Sequence, residues 1–315
     1  MSADQVDELK NNDRKFDIFN KMAHSSLHWD KYMSSDIIKV LGEVYLDNKL
    51  FDVKMKEAIL IAIQGDFWGT KDLCEQLMND TNPSGEQKAY MLNNLAMANF
   101  HIFHEKKREH DNKKKELHPS IIQLGDDVIP ILKDAIRTNE TLEKRSDEDL
   151  ELIDALLDKE THGPEEFYQK AGKDKFFSII QNPNSGLPLT NICEHMLLQG
   201  PKFDKKHTSF WFVVGLKHHE SKKSELLARH LSLLAIFYHA MDRTMIAEGL
   251  FTRALELTKD KKSFNHAFTL KMYSHVLSLK PNRGTEVEKL IKECKEIEDS
   301  LPEWMNKFVN FQIPE

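Results

Sequence analysis

Histidine and cysteine are the side chains through which this chain could hold a metal or attack a carbonyl, and their spacing argues against both uses. The sequence has 15 histidines and three cysteines, Cys74, Cys193 and Cys294. The cysteines lie far apart and form no CxxC pair, so neither a zinc cluster nor a disulfide framework is signalled. Free thiols of this kind suit a reducing compartment. His101 and His104 share a helical face only approximately, with Glu105 beside them, and no third ligand follows at fixed spacing. His218 and His219 are adjacent, so their side chains diverge. Cys193 and His195, two residues apart on a helix, point in different directions, which favours a structural cysteine over a nucleophile. The phosphate-cradling loops GxxxxGKS, GxxxxGKT and GxGxxG, the GxSxG elbow and HExxH are all missing. The residues therefore imply no cofactor, no metal and no catalytic set.

Helical spacing runs almost throughout, and the expected fold class is all-α. Ser34, Ser35 and Asp36 start a helix carried by Ile37, Ile38, Leu41, Val44 and Tyr45, and residues 51–63, 70–78 and 86–104 continue the pattern. Residues 105–116 contain no apolar side chain and read as a solvated helix extension or a mobile loop, with a basic contact for an acidic partner as the alternative. Beyond Pro119 a helix with Ile121, Val128, Leu132 and Ile136 is expected to be shortened or kinked by Gly125 and Pro130. Residues 146–158 form another, with Ser146 as cap and Asp147, Glu148 and Asp149 in its first turn. A short helix follows at 165–171. The Asn, Pro, Ser and Gly residues of 181–188 look like a linker. Helices are expected at 189–198, 208–219, 263–279 and 285–297. The aromatic run Phe210, Trp211 and Phe212 fits a core position, with an exposed anchor as the alternative.

Size and charge narrow the class. The chain has 315 residues, 40% of them hydrophobic, and a net charge of −7. That acidity argues against a nucleic-acid protein with a wholly basic surface. No apolar run reaches the roughly 18 residues that span a bilayer. The first residues are acidic and lack the features of a signal or transit peptide. An intracellular, cytoplasmic protein is expected, or a mitochondrial one where a targeting segment has been removed.

The most informative stretch runs from Ala228 to Leu255. With Ala228 as position 1, Leu231, Leu234, Ala235 and Tyr238 fall at positions 4, 7, 8 and 11, and Ala247, Phe251, Ala254 and Leu255 at 20, 24, 27 and 28. Small residues at 8, 20 and 27 let two antiparallel helices approach closely, while large ones fill the groove beside them. This pattern resembles the tetratricopeptide repeat (TPR) family. Looser copies occur at Ile38, Leu41, Gly42, Tyr45 and Phe51, where Lys54 departs from the pattern, and at Leu92, Leu95 and Ala96. The resemblance implies an α-solenoid of antiparallel helix hairpins. Its expected parts are an N-terminal extension (1–33), degenerate repeats (34–180) with a charged insert (105–118), C-terminal repeats (189–300) and a capping tail (301–315). Residues 140–220 match only as generic helices, and a HEAT-like stack there is an equal alternative.

In TPR proteins the concave face grips an extended peptide or a partner helix. The resemblance places Tyr90, Asn93, Met97, Phe100 and His101 on that face in one repeat, and Arg229, Ser232, Ile236, His239 and Ala240 in another. Ile236 stands where a clamp for acidic chaperone C-termini wants an amide, so that subclass is disfavoured. The leading expectation is a non-enzymatic scaffold, adaptor or accessory subunit of a multi-subunit complex, with protein partners and no nucleic acid. It is similar in outline to mitochondrial TPR proteins that accompany respiratory complexes. The alternatives are a helical enzyme or small-ligand receptor with a site built from distant residues, and an RNA-binding helical repeat.

Overall fold

A computed structural model describes residues 54–55, 57–58, 61–62, 65–113, 116–158, 172, 175, 177–199, 204–259 and 263–300. The expected helices at 36–45 and 165–171, part of the one at 51–63, the N-terminal extension and the capping tail lie outside them. Among the described residues there are ten α-helices and no strand, so the chain is all-α as expected. No described helix is long and apolar enough to cross a membrane.

The chain divides into two compact units at Ser84 and Gly85. In the first, α1 (Phe67–Asp80) starts at Asp66, whose carboxylate accepts from the Gly69 N–H at 2.8 Å. Gly65, at φ +88, makes the turn that precedes it. Thr70, Cys74 and Leu77 form the buried stripe of α1.

The second unit opens with α2 (Gly85–Lys113) and α3 (Pro119–Thr141), which pack along each other. The charged stretch after His104 continues α2 as helix as far as Lys113. Gly125 lets the two backbones meet, because a Cβ there would lie 2.6 Å from the Phe103 ring. The expected shortening of α3 does not occur. Pro130 sits on the exposed side, as does Asp126, whose carbonyl the proline ring leaves without a helical donor, so water can serve it. Then α4 (Asp147–Leu157) begins as expected, with the Ser146 hydroxyl accepting from Asp149 N–H at 3.2 Å.

Residues 181–188 are the opposite of a loose linker. Glu140, at the end of α3, is fully buried, and its carboxylate accepts from the backbone N–H groups of Gln181 (3.0 Å) and Asn182 (2.9 Å) and from the Ser185 hydroxyl (2.8 Å). The buried Arg145 guanidinium pairs with the same carboxylate and donates to the Ile179 carbonyl at 3.1 Å. The Asn182 amide donates to the Asn139 carbonyl at 2.9 Å. A single 3-10 turn, Pro183–Ser185, then leads straight into α5 (Gly186–Leu198).

Three further helix pairs complete the unit: α5 with α6 (Lys205–Lys222), α7 (Leu227–Ala240) with α8 (Thr244–Thr258), and α9 (Phe264–Ser278) with α10 (Gly284–Glu298). Left-handed residues, Lys223 (φ 51), Asp242 (φ 60) and Asn282 (φ 64), turn the chain after α6, α7 and α9. Helix α5 also packs on α2, α3 and α7, and α9 packs on α7 and α8. Ala235, Ala247 and Ala254 are completely buried, so the small side chains of the repeat pattern stand where helices pack together.

Replacing Glu140 by Ala strands two N–H groups, a hydroxyl and a buried guanidinium. The expected cost is about 3–5 kcal/mol, the usual result of removing one member of a buried pair. Asp158→Ala, which trims an exposed partner of Arg137, should cost little or nothing. Urea midpoints of the two variants check both. Equal midpoints would contradict the role assigned to Glu140.

Candidate functional site

The ten residues expected to line a groove lie on α2 and α7, and the packing of α5 and α9 between and beside these helices decides what they can do. Several of these side chains face another helix of the same unit. Asn93 on α2 is buried and accepts from the Asn191 side-chain amide of α5 at 3.0 Å. Ser232 on α7 is fully buried, its hydroxyl 2.9 Å from that of Thr269 on α9. Arg229 donates to the Glu194 carboxylate of α5 at 2.6 Å, and its guanidinium carbon stands 5.3 Å from the ring centres of both Phe264 and Phe268. Ile236 and Phe100 are buried, while Met97, His101 and His239 are half-buried. Among the ten only Tyr90 and Ala240 are exposed. The arrangement is therefore a closed seam between helices, with most of its polar atoms matched from within.

A histidine cluster sits in this seam. His104 Nε2 of α2 faces His195 Nδ1 of α5 at 3.4 Å, and the Gln199 amide lies 3.4 Å from the other nitrogen of His195. Phe100 stacks its ring edgewise against His101 and His104, with centroids 5.1 and 4.6 Å apart. Burial pushes the His104 pKa down to about 2, with the neighbouring His195 and Lys107 adding to the effect. Burial, then Arg229 and Arg108, take His101 to about 4. His195 falls to about 4 by burial, against the opposing pull of the Gly125 carbonyl.

A second cluster was not anticipated. His218 Nδ1 lies 3.0 Å from the Ile180 carbonyl, His230 Nε2 lies 3.0 Å from the Phe212 carbonyl, and His219 Nε2 lies 2.9 Å from the Thr190 hydroxyl. All three side chains are buried. Burial, then His230 and His218, lower the His219 pKa to about 2, and burial lowers that of His230 to about 4. A Cβ at Gly215 would come within 2.3 Å of the His230 ring, and one at Gly186 within 3.1 Å of both His218 and His219. Gly215, alone in the middle of an aromatic helical stretch, was the available sequence signal for such a close approach.

Neither cluster suits the chemistry that histidine clusters usually suggest. Neutral imidazoles with pKa values this low are poor proton shuttles near pH 7. Among the described residues no three His, Cys, Asp or Glu side chains are placed to hold a metal ion. Cys193 is fully buried, and burial raises its thiol pKa well above the usual value; Cys74 and Cys294 are raised to about 12 for the same reason. Comparison of the chain with family models, curated proteins and solved structures found no match.

The buried imidazoles make stability depend on pH. Their folded pKa values lie below the unfolded value of about 6.5, so the unfolded chain binds more protons in the intervening range. Stability should hold level above about pH 7 and fall as the pH drops from about 6.5 towards 4, each such histidine adding up to about 1.4 kcal/mol per pH unit. Urea midpoints across this range measure the slope, and His195→Asn should reduce it by about one proton. A flat profile between about pH 7 and 5 would show that these rings titrate normally.

Proposed function

We propose that the chain is a non-enzymatic interaction scaffold or accessory subunit, built as a TPR-like stack of helix hairpins. One observation carries the reading: successive pairs α2/α3, α5/α6, α7/α8 and α9/α10 each pack internally, and the first helix of each pair also packs on the first helix of the next. Nearest-neighbour packing of this kind is the principle of a helical repeat array. The match between the fully buried Ala235, Ala247 and Ala254 and the small positions of the repeat supports it further.

The seam is filled from within, which moves the partner contact away from Asn93, Phe100, Ser232 and Ile236. A better candidate lies where α8 begins and α9 ends. Met245 is 90% exposed and Leu279 62%, more than any other large apolar side chain among the described residues, and Ile246 is 45% exposed. Glu248 of α8 accepts from Lys280 and Arg283, the two cations that follow Leu279, and so draws these apolar side chains to one end of the unit. The ion pairs of Glu248 with Lys280 and Arg283 set charged groups beside these apolar side chains in the chain, the mix of apolar and polar surface that protein contacts use.

Affinity capture from a native extract with the full chain, followed by mass spectrometry, tests the proposal. A reproducible partner should be retained by the native chain and lost by a Met245→Asp, Leu279→Asp double variant whose circular dichroism is unchanged. A chain that remains solitary, or a partner set indifferent to both substitutions, would defeat it.

A further inference from the structure

A cleft of about 470 Å3 opens where the α3–α4 connection, residues 175–183 and the end of α6 meet. Its wall carries four cationic side chains, Lys144, Arg145, Lys175 and Lys222, against two carboxylates, Glu143 and Asp149. That excess of positive charge runs against the acidity of the whole chain, whose net charge is −7. Two of the cations are already matched: Arg145 by the buried Glu140, and Lys175 by Asp149 at 3.1 Å. Lys144 and Lys222 form no ion pair among the described residues. They come from separate elements and line the same cleft, with Glu143 as the one carboxylate there not engaged with Lys175.

The base beneath them is tied together by buried polar contacts. Glu140 ties Gln181, Asn182 and Ser185 together, and Arg145, its side chain only 6% exposed, is held between that carboxylate and the Ile179 carbonyl. Arg145 Nε has no hydrogen-bond partner, so an unmatched donor remains within the wall. Two ammonium groups that line one cleft repel each other wherever they approach, and an anion bound there answers both charges while taking up several N–H donors at once. A monovalent carboxylate can answer one such charge. A phosphate, with up to two charges and three or more acceptor oxygens, can answer both.

We infer that this cleft binds a small phosphate-bearing anion, held by Lys144 and Lys222 and oriented by the fixed guanidinium of Arg145. The site is separate from both the seam and the apolar end proposed for a protein partner.

Amide NMR titration of the full chain tests it, with inorganic phosphate, glycerol phosphate and acetate as probes at matched ionic strength. Both phosphates should give saturable shifts confined to residues around Lys144, Gln181 and Lys222, and acetate should give none. Tighter binding of the ester than of the free ion assigns the site to an organic phosphate, and the reverse to the inorganic anion. Lys144→Ala and Lys222→Ala should each weaken binding by roughly tenfold, the worth of one charge-assisted contact. Lys289→Ala, at an exposed position of α10, should leave it unchanged. Both cleft lysines are exposed, so the variants keep the fold. Absence of saturation, equal shifts with acetate, or phosphate binding that survives the Lys144→Ala, Lys222→Ala double substitution would overturn the inference.

Discussion

A carboxylate out of reach of water must find its donors inside the protein, and Glu140 is where this fold meets that demand. Its partners come from a guanidinium five residues on and from a turn some forty residues on, so satisfying one charge fixes where α3 ends and where α5 begins. An unpaired charge in that position would be intolerable to a domain of ordinary stability. Everything that α5 presents inherits the placement: Asn191 to Asn93, His195 to His104 and Glu194 to Arg229. The cationic cleft stands on the same foundation.

The seam that results is polar without being reactive. Its histidines are neutral, its cysteine neighbour is a buried thiol, and its arginine is held between a carboxylate and two phenylalanine rings. Groups that would be available to a ligand in an open groove are here spent on holding helices side by side. That shifts attention to surfaces where apolar or charged side chains remain uncommitted, and these lie elsewhere on the same unit.

Much of this was legible in the sequence where the determinant is local. The Ser146 cap with its acidic first turn, and the alanines of α7 and α8, declare themselves within one or two helical turns, and the helices stand there. The seam was half legible: the repeat resemblance placed Asn93, Phe100, Arg229 and Ser232 on one face, but could not say that the same protein would cover them. The stretch 181–188 misled because Asn, Pro, Ser and Gly are chosen alike for flexible linkers and for tightly capped turns. The difference lies in Glu140, distant along the chain. Pro130 did not shorten α3 for a related reason, since its cost depends on whether water reaches the carbonyl it leaves unpaired. The cluster of His104 and His195 is assembled from helices far apart in sequence, and that of His218, His219 and His230 from two consecutive helices whose packing no local spacing reveals.

The pairing of Asn93 with Asn191, and of His104 with His195, has a last consequence for how the helices find their alignment. Alanine and leucine surfaces tolerate sliding, because one apolar contact replaces another at nearly equal energy. Amides and imidazoles do not. Displacing α5 by one turn along α2 would separate the two asparagines and set a histidine against hydrocarbon, leaving donors unmatched in a dry interface. The polar pairs thus act as a key that admits one register, much as a single buried asparagine does in a coiled coil.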